Sequence, residues 1–271
     1  MMKSVKILLA GEGGQGIQTI AKIVVESAAE SGYKCSYIPS FGVEQRGSPS
    51  VAFVILGSEP ISYPRFDTAD YAVILQQRAV KTIAEYITPT TKVIFDSSTI
   101  STHNLPRKSV HVFAIPATKY AYENFTPKNF NLIIAGKICR IINIPLDIVW
   151  STVRSLLAHK FQNQEAEINS KDALTFGYNA VFEVKEFSEA SFSPSSQKIV
   201  FFGHDKKGEI VPTRCKGCGI CIEKCPVRAL KFSSILGVFA TPVPEVDLEK
   251  CITCGNCRSF CPDGAINIEK N

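Results

Sequence analysis

Long apolar runs are absent from this sequence of 271 residues. The longest runs, such as VKILLA and YAVILQ, have the length of a β-strand, whereas about 20 residues are needed to cross a bilayer, so we expect no membrane span. The formal net charge of +5 is not gathered into a basic tail, which argues against nucleic-acid binding. The histidines show no metal-binding spacing, and neither a G-x-S-x-G elbow nor a Walker loop is present.

A secretory signal is also missing from the N-terminus. The segment MMKSVKILLAGEGG passes from a short apolar stretch directly into a glycine-rich turn. This pattern predicts a cytoplasmic location, where thiols stay reduced and disulfides are rare. The thiols matter here because the chain has 10 cysteines.

Eight of these 10 cysteines form two copies of the pattern C-x2-C-x2-C-x3-C-P near the C-terminus. The first copy contains Cys215, Cys218, Cys221 and Cys225, and the second contains Cys251, Cys254, Cys257 and Cys261. This is the bacterial spacing for two 4Fe–4S clusters, in which the last cysteine of each run binds the other cluster. We therefore assign Cys261 to the cluster of the first run and Cys225 to that of the second. Structural zinc is the alternative, although its ligands usually form two separated pairs or include histidine.

The chain is predicted to contain two domains. A serine-rich segment, residues 186–198, predicts a linker between an N-terminal domain, residues 1–190, and a ferredoxin-type domain, residues 191–271. The first domain alternates buried strands with helices, which predicts an α/β fold with a parallel sheet. The second is predicted to be a small α+β domain held together by its clusters. After residue 195 it has eleven Lys and Arg against eight Asp and Glu, a small basic excess that favours an acidic electron carrier or has no steering role.

A glycine-rich loop follows the first predicted strand. Gly11, Gly13 and Gly16 fit G-x-G-x-x-G, and a helix follows at once. Free N–H groups at such a helix start attract anions. The acidic residue that dinucleotide sites need after the second strand is missing, so the loop contacts CoA or a phosphate, or packs against another subunit.

A second candidate lies in the segment FGVEQRGSPS, after the second predicted strand. Arg46 is the best candidate to hold a phosphate or carboxylate, because a guanidinium group forms paired hydrogen bonds with either anion. A salt bridge that shapes the loop is the alternative interpretation of Arg46.

Together these segments resemble a known family. GEGGQGIQTIAKIV and FGVEQRGSPSVAFVILGSEPISYP are similar to the gamma subunit of 2-oxoacid:ferredoxin oxidoreductases over residues 5–185. The matching positions are Gly11, Gly13, Gly14, Gln15 and Gly16, followed by Arg46 and Gly47. The part from residue 198 resembles the delta subunit, a two-cluster ferredoxin. The chain therefore resembles a gamma–delta fusion.

The resemblance implies a pyruvate synthase-like reaction, the CoA-dependent oxidative decarboxylation of a 2-oxoacid. Electrons would pass from thiamine diphosphate through two 4Fe–4S clusters to ferredoxin. The family's thiamine motif is absent here, so alpha and beta partner subunits would supply thiamine diphosphate and Mg. The glycine loop and Arg46 would lie near CoA, and this chain would contribute no catalytic residue of its own.

Two other functions remain open from the sequence. One is a stand-alone electron-transfer module that uses the N-terminal fold to dock to another oxidoreductase. The other is a nucleotide-dependent oxidoreductase, which the missing acidic ribose residue argues against. The sequence does not indicate which 2-oxoacid is the substrate.

Overall fold

The computed structural model describes residues 4–41, 48–106, 111–161, 163–180, 195–202, 206–238 and 241–270. The chain divides into two compact units, Met1–Ser191 and Phe192–Asn271. Most of the predicted linker, residues 186–194, lies outside the described residues. Within the described parts of the chain, no helix has the length and apolar character needed to span a membrane.

The first unit contains one sheet of six strands. They are β1 (Val5–Glu12), β2 (Lys34–Phe41), β3 (Pro49–Gly57), β4 (Tyr71–Ile74), β5 (Lys92–Asp96) and β6 (His111–Ile115). Their order across the sheet is β2-β3-β1-β4-β5-β6. The strands β1, β4, β5 and β6 run parallel. The predicted α/β class is confirmed.

The sheet is mixed and not wholly parallel as predicted, because one strand runs in the opposite direction. β3 pairs antiparallel with both β1 and β2. From Ser50 onward β3 is buried at every position, so its residues have the unbroken apolar character typical of a parallel strand. Its direction follows instead from the connection, residues 42–48. That segment is too short for the crossover of a dozen or more residues that two neighbouring parallel strands require.

Helices cover both faces of this sheet. They are α1 (Ile17–Glu30), α2 (Ala79–Ile83), α3 (Ala117–Asn124), α4 (Phe130–Ile141), α5 (Leu146–Leu157) and α6 (Gln164–Asn179), with short 3-10 turns at Ala84–Tyr86, Thr102–Asn104, Pro127–Asn129 and Ala158–Lys160. The larger apolar core includes α1, α4, α5 and α6, and the smaller one lies on the side of α2. α4 and α6 cross closely at Gly177, whose lack of a side chain allows the approach: a Cβ there would clash with the Ile133 carbonyl group. The helical segment is interrupted near Pro127 and Pro145, where proline fixes φ and lacks a backbone N–H.

The second unit is built from short elements. They are β7 (Ile199–Phe202), β8 (Lys206–Ile210), α7 (Ile220–Glu223), β9 (Leu230–Leu236), β10 (Pro242–Val246), α8 (Asn256–Ser259) and β11 (Ile266–Lys270). β11, β8 and β7 form an antiparallel sheet in that order, and β9 and β10 form a hairpin. Its core is small, and the cysteine side chains form part of it. So small an apolar core gives limited stability without additional cross-links.

Candidate metal centres and glycine loop

The two cysteine runs fold into two loops of the same local shape. Residues with left-handed backbone angles occur at equivalent places: Gly217 and Thr253, Gly219 and Gly255, Arg228 and Gly264. Gly219 and Gly255 immediately precede α7 and α8. The left-handed glycine turns the chain sharply, so that the thiols on either side of it can approach a common point. The sequence repeat is therefore a structural repeat.

Burial and neighbouring thiols show which cysteines lie together. The pKa of Cys221 is raised to about 12, chiefly by burial and in addition by the neighbouring thiols Cys215, Cys218, Cys257 and Cys261. Burial likewise raises the pKa of Cys215 to about 11, with Cys218 and Cys261 among its charged neighbours. Cys261, from the second run, thus lies beside the first loop.

The reciprocal arrangement occurs at the second loop. Burial raises the pKa of Cys257 to about 11, and its thiol neighbours are Cys251, Cys254 and Cys225. Cys225 comes from the first run. A cavity brings the same four cysteines together, and its other lining residues are mainly apolar: Phe201, Pro226, Val227, Ala229, Leu230, Val246, Ile252, Thr253, Gly255, Asn256 and Ile268. Each set of four thiols therefore draws one member from the other run.

Backbone N–H groups point at several of these sulfur atoms. The Ala229 N–H donates to Cys225 Sγ at 3.2 Å, and the Ala265 N–H donates to Cys261 Sγ at 3.3 Å. The Gly217 N–H donates to Cys215 Sγ at 3.4 Å. Hydrogen bonds of this kind stabilise thiolate ligands and tune the potential of iron–sulfur clusters.

The donor set suits a 4Fe–4S cubane. Four thiols surround a largely apolar cavity, and N–H donors already face the sulfurs. Among the described residues, no group of three or more His, Cys, Asp and Glu side chains is arranged to hold a single metal ion. Both findings are compatible with a cubane, because each thiolate then binds a different iron and the four sulfurs need not converge on one atom. All 10 cysteines are free, so none forms a disulfide.

The other two cysteines lie away from these loops. Cys139 is buried in α4, where burial raises the pKa of its thiol to about 12. Cys35 is half-buried in β2, and its thiol donates to the Tyr33 carbonyl at 3.6 Å. Both environments suit the predicted role of small buried hydrophobes.

The glycine loop is held by its own glutamine. Gln15 is buried, and its Oε1 accepts the Glu12 N–H at 2.8 Å. Its Nε2 donates to the Leu75 carbonyl at 3.3 Å. Gln15 therefore ties the end of β1 to the end of β4. The Gly13 N–H donates to the Ser48 carbonyl at 2.9 Å. This N–H group therefore already has a hydrogen-bond partner within the protein.

The glycines of the loop serve different purposes. Gly14 and Gly16 have φ angles of 101° and 75°, outside the helical range, and α1 starts at Ile17, directly after Gly16. A Cβ at Gly16 would overlap the Asn131 side chain, whereas one at Gly14 would meet nothing within 4 Å. At Gly11 a Cβ would meet Ile17 Cδ1 at 2.6 Å. Gly14 is exposed, whereas Gly11 is buried and Gly13 and Gly16 are half-buried. Arg46 and Gly47 lie outside the described residues.

An ion pair between a buried carboxylate, Glu12, and an exposed guanidinium group, Arg78, lies next to this loop and was not predicted from the sequence. Glu12 is 2% exposed, and its Oε1 lies 3.5 Å from NH1 of Arg78. The pair lies at the carboxyl ends of β1 and β4, where the strand order reverses. Open α/β sheets bind ligands at such a point. The sequence signal for this pair is Glu12 within GEGG, at the end of the first strand, whereas the fingerprint of a dinucleotide site has its acidic residue after the second strand.

A matching family model covers most of the first unit. Residues 6–180 match the model described as pyruvate ferredoxin/flavodoxin oxidoreductase. The chain belongs to this family. Residues 196–265 match a second model, the 4Fe-4S dicluster domain. The family resemblance noted from the sequence is confirmed.

Curated members of the pyruvate ferredoxin/flavodoxin oxidoreductase family include several subunits similar to this chain. The 2-oxoglutarate synthase subunit KorC of Methanocaldococcus jannaschii is 33% identical over 51% of this chain and 75% of its own length. The common gamma subunit of pyruvate/ketoisovalerate oxidoreductases from Pyrococcus abyssi is 28% identical over 66% of this chain and 100% of its own length. The ketoisovalerate oxidoreductase subunit VorA of Methanothermobacter thermautotrophicus is 29% identical, but this chain spans only 27% of its length.

Solved structures show the same fold for the first unit. Subunit PORC of the pyruvate oxidoreductase from Thermotoga maritima aligns with a TM-score of 0.54 and 22% identity, over 65% of this chain and 96% of that one. A 2-oxoglutarate:ferredoxin oxidoreductase from Magnetococcus marinus, solved with 2-oxoglutarate, coenzyme A and succinyl-CoA, aligns with a TM-score of 0.59 and 21% identity. That alignment covers 74% of this chain and 35% of the other.

Proposed function

We propose that this chain is the gamma-type subunit of a 2-oxoacid:ferredoxin oxidoreductase, fused to a delta-type two-cluster ferredoxin unit. The observation that carries the proposal is the combination within one chain. A unit that matches the oxidoreductase family over residues 6–180 is followed by two sets of four thiols that exchange one member each. A ferredoxin unit alone occurs in many oxidoreductases, so the pairing gives the proposal its specificity.

The eight cysteines of the two runs hold two 4Fe–4S clusters in this proposal. Bound clusters supply one-electron uptake and release at low potential. Cys261 completes the set of Cys215, Cys218 and Cys221, and the neighbouring thiols add to the effect of burial in raising the pKa of Cys215 and Cys221. Cys225 completes the other set, which lines a largely apolar cavity. Because each set borrows a ligand from the other run, the two sites must lie close together, as an electron relay requires.

The partner subunits carry out the carbon chemistry. The alpha and beta subunits hold thiamine diphosphate and Mg, decarboxylate the 2-oxoacid and transfer the acyl group to CoA. This chain receives the electrons of that oxidation one at a time and delivers them to ferredoxin. Its role is therefore that of a non-thiamine-binding subunit.

The glycine loop and Arg46 lie toward CoA or a partner subunit in this proposal. Gly11, Gln15 and Gly16 set the shape of the loop by packing and hydrogen bonding. Gly14 leaves exposed backbone at the start of α1, next to the half-buried Gly13, and this end of the sheet is where α/β folds bind ligands. Arg46, in the segment after β2, supplies an anion-binding guanidinium.

An anaerobic metal analysis tests the cluster assignment. The purified chain should contain about eight iron and eight sulfide, by the ligand count of two cubanes. Reduction should produce the EPR signals of two interacting clusters. Stoichiometric zinc without iron, in protein never exposed to air, would contradict the assignment.

A reconstitution experiment tests the subunit role. The isolated chain should oxidise no 2-oxoacid, because it has no thiamine-binding motif. Mixed with its alpha and beta partners, it should support CoA-dependent reduction of ferredoxin. Oxidation of any 2-oxoacid by the isolated chain would overturn the subunit role.

A further inference from the structure

The first cysteine loop is covered by the β9–β10 hairpin. The Val238 N–H donates to the Cys215 carbonyl at 3.0 Å. The Thr241 hydroxyl donates to the Lys216 carbonyl at 2.6 Å. There is no room beneath this turn, because a Cβ on Gly217 would lie 2.6 Å from the Pro242 carbonyl oxygen. The hairpin thus closes the first site from above.

A short ion pair adds to this cover. Lys216 Nζ lies 2.8 Å from Asp263 Oδ1, and the two side chains are only 21% and 18% exposed. Cys215 and Cys221 are buried, and Cys218 is half-buried. None of these three thiols of the first site is fully exposed.

The equivalent surface of the second loop is more exposed. Ile252 takes the place that Lys216 has in the first loop, and its side chain is 56% exposed. Leu248, just before the loop, is 57% exposed, and Cys254 is an exposed cysteine. A Cβ at Gly255 would meet nothing within 4 Å. Thr253, at the position equivalent to Gly217, is buried, so the two sites of the structural repeat differ at Ile252 and Cys254, which are more exposed than Lys216 and Cys218.

We propose that the second site is where electrons leave this chain, and that Leu248 and Ile252 dock the electron carrier. This inference rests on the proposed function. One electron passes from the reduced cluster held by Cys251, Cys254, Cys257 and Cys225 to an oxidised one-electron carrier protein. No bond forms or breaks, and no proton is needed for charge balance.

Electron transfer slows steeply with distance, so the carrier must approach the more accessible of the two sites. The second site offers both an exposed ligand, Cys254, and an apolar contact at Ile252. The hairpin and the Lys216–Asp263 pair keep a protein further from the first site.

The occupant is a small acidic iron–sulfur carrier. The apolar patch consists of two aliphatic side chains beside one exposed cysteine. The charged residues next to it in the chain are Asp247, Glu249 and Lys250, and Lys250 pairs with Asp247. Electron-transfer encounters use small interfaces of this kind, whereas permanent subunit contacts are larger and more apolar. The basic excess belongs to the second unit as a whole, eleven Lys and Arg against eight Asp and Glu, and it attracts an acidic carrier during the encounter.

A surface-charge experiment tests the docking site in the full complex. Leu248→Asp and Ile252→Asp should each raise the KM for a purified two-cluster ferredoxin about tenfold, because each removes a central apolar contact and adds repulsion. The ratio of viologen-dye reduction to ferredoxin reduction should rise by a similar factor. Phe202→Asp is the matched control. Phe202 is 62% exposed on β7, on the opposite face from the cavity-lining Phe201, so this variant should keep the KM within about twofold.

An EPR measurement provides a readout that does not depend on turnover. A water-soluble dysprosium complex should accelerate the spin relaxation of the second cluster more than that of the first. Cys254→Ser and Cys218→Ser shift the two signals separately and so identify them. Equal acceleration of both clusters would overturn the inference, and so would equal KM values for Ile252→Asp and Phe202→Asp. Loss of dye reduction by the 2-oxoacid in Ile252→Asp would also overturn it, by placing an internal subunit contact at this surface. A chain without iron would instead refute the proposed function.

Discussion

Removal of Cys225 tests whether this cysteine binds the cluster of its own sequence run or the cluster of the other run. Cys225 ends the first run, yet its thiol lines the cavity with Cys251, Cys254 and Cys257. It also raises the pKa of Cys257. Cys225→Ala should therefore damage the cluster of the second run and leave that of the first run intact.

The expected loss follows from the ligand count. A cubane has four thiolate ligands, and the second set keeps three of them in Cys225→Ala. If the three-ligand site fails, iron should fall from about eight to about four per chain. The N–H of Ala229, which faces Cys225 Sγ at 3.2 Å, also loses its acceptor, so the local turn loosens as well.

The assay is anaerobic iron and sulfide determination together with EPR of the reduced protein. Cys261→Ala is the reciprocal variant, and it should remove the cluster of Cys215, Cys218 and Cys221 instead. Cys35→Ser is the control, because Cys35 lies in β2 of the first unit and should leave the iron content unchanged. Loss in Cys225→Ala confined to the cluster of its own run would refute the exchanged arrangement.

Three further predictions concern the glycine loop and its neighbours. Gly16→Ala should lower the free energy of unfolding by about 2 kcal/mol more than Gly14→Ala, because both glycines have positive φ but only Gly16 packs against Asn131. Chemical denaturation measures the difference, and equal losses would show that the contact with Asn131 does not matter. Gln15→Ala should lower the free energy of unfolding by about 1–3 kcal/mol in the same assay, because it removes the hydrogen bonds to the Glu12 N–H and the Leu75 carbonyl. An unchanged denaturation midpoint would show that these two hydrogen bonds do not stabilise the fold. Arg46→Ala should raise the KM for CoA or weaken assembly, measured by steady-state kinetics and size exclusion, with the cluster EPR signals intact; unchanged kinetics and assembly would remove Arg46 from the site.

Local patterns in the sequence determine much of this protein. The buried strand before Gly11, the amphipathic helix after Gly16 and the breaks near Pro127 and Pro145 all follow from short-range periodicity and turn chemistry. The cysteine spacing predicts iron–sulfur ligation because the geometry of a cubane demands closely spaced thiolates. These features depend on neighbours within a few residues, so no tertiary information was needed.

Contacts between distant segments were decided only in the tertiary structure. The direction of β3 depends on a short connection and not on its own residues, which are buried at every position from Ser50 onward. Glu12 pairs with Arg78 only because β1 and β4 become neighbours in the sheet. The two cysteine runs look alike in sequence, yet the hairpin covers the first loop, and the second loop is more exposed. That asymmetry arises from packing between segments far apart in the chain, which spacing within a motif does not determine.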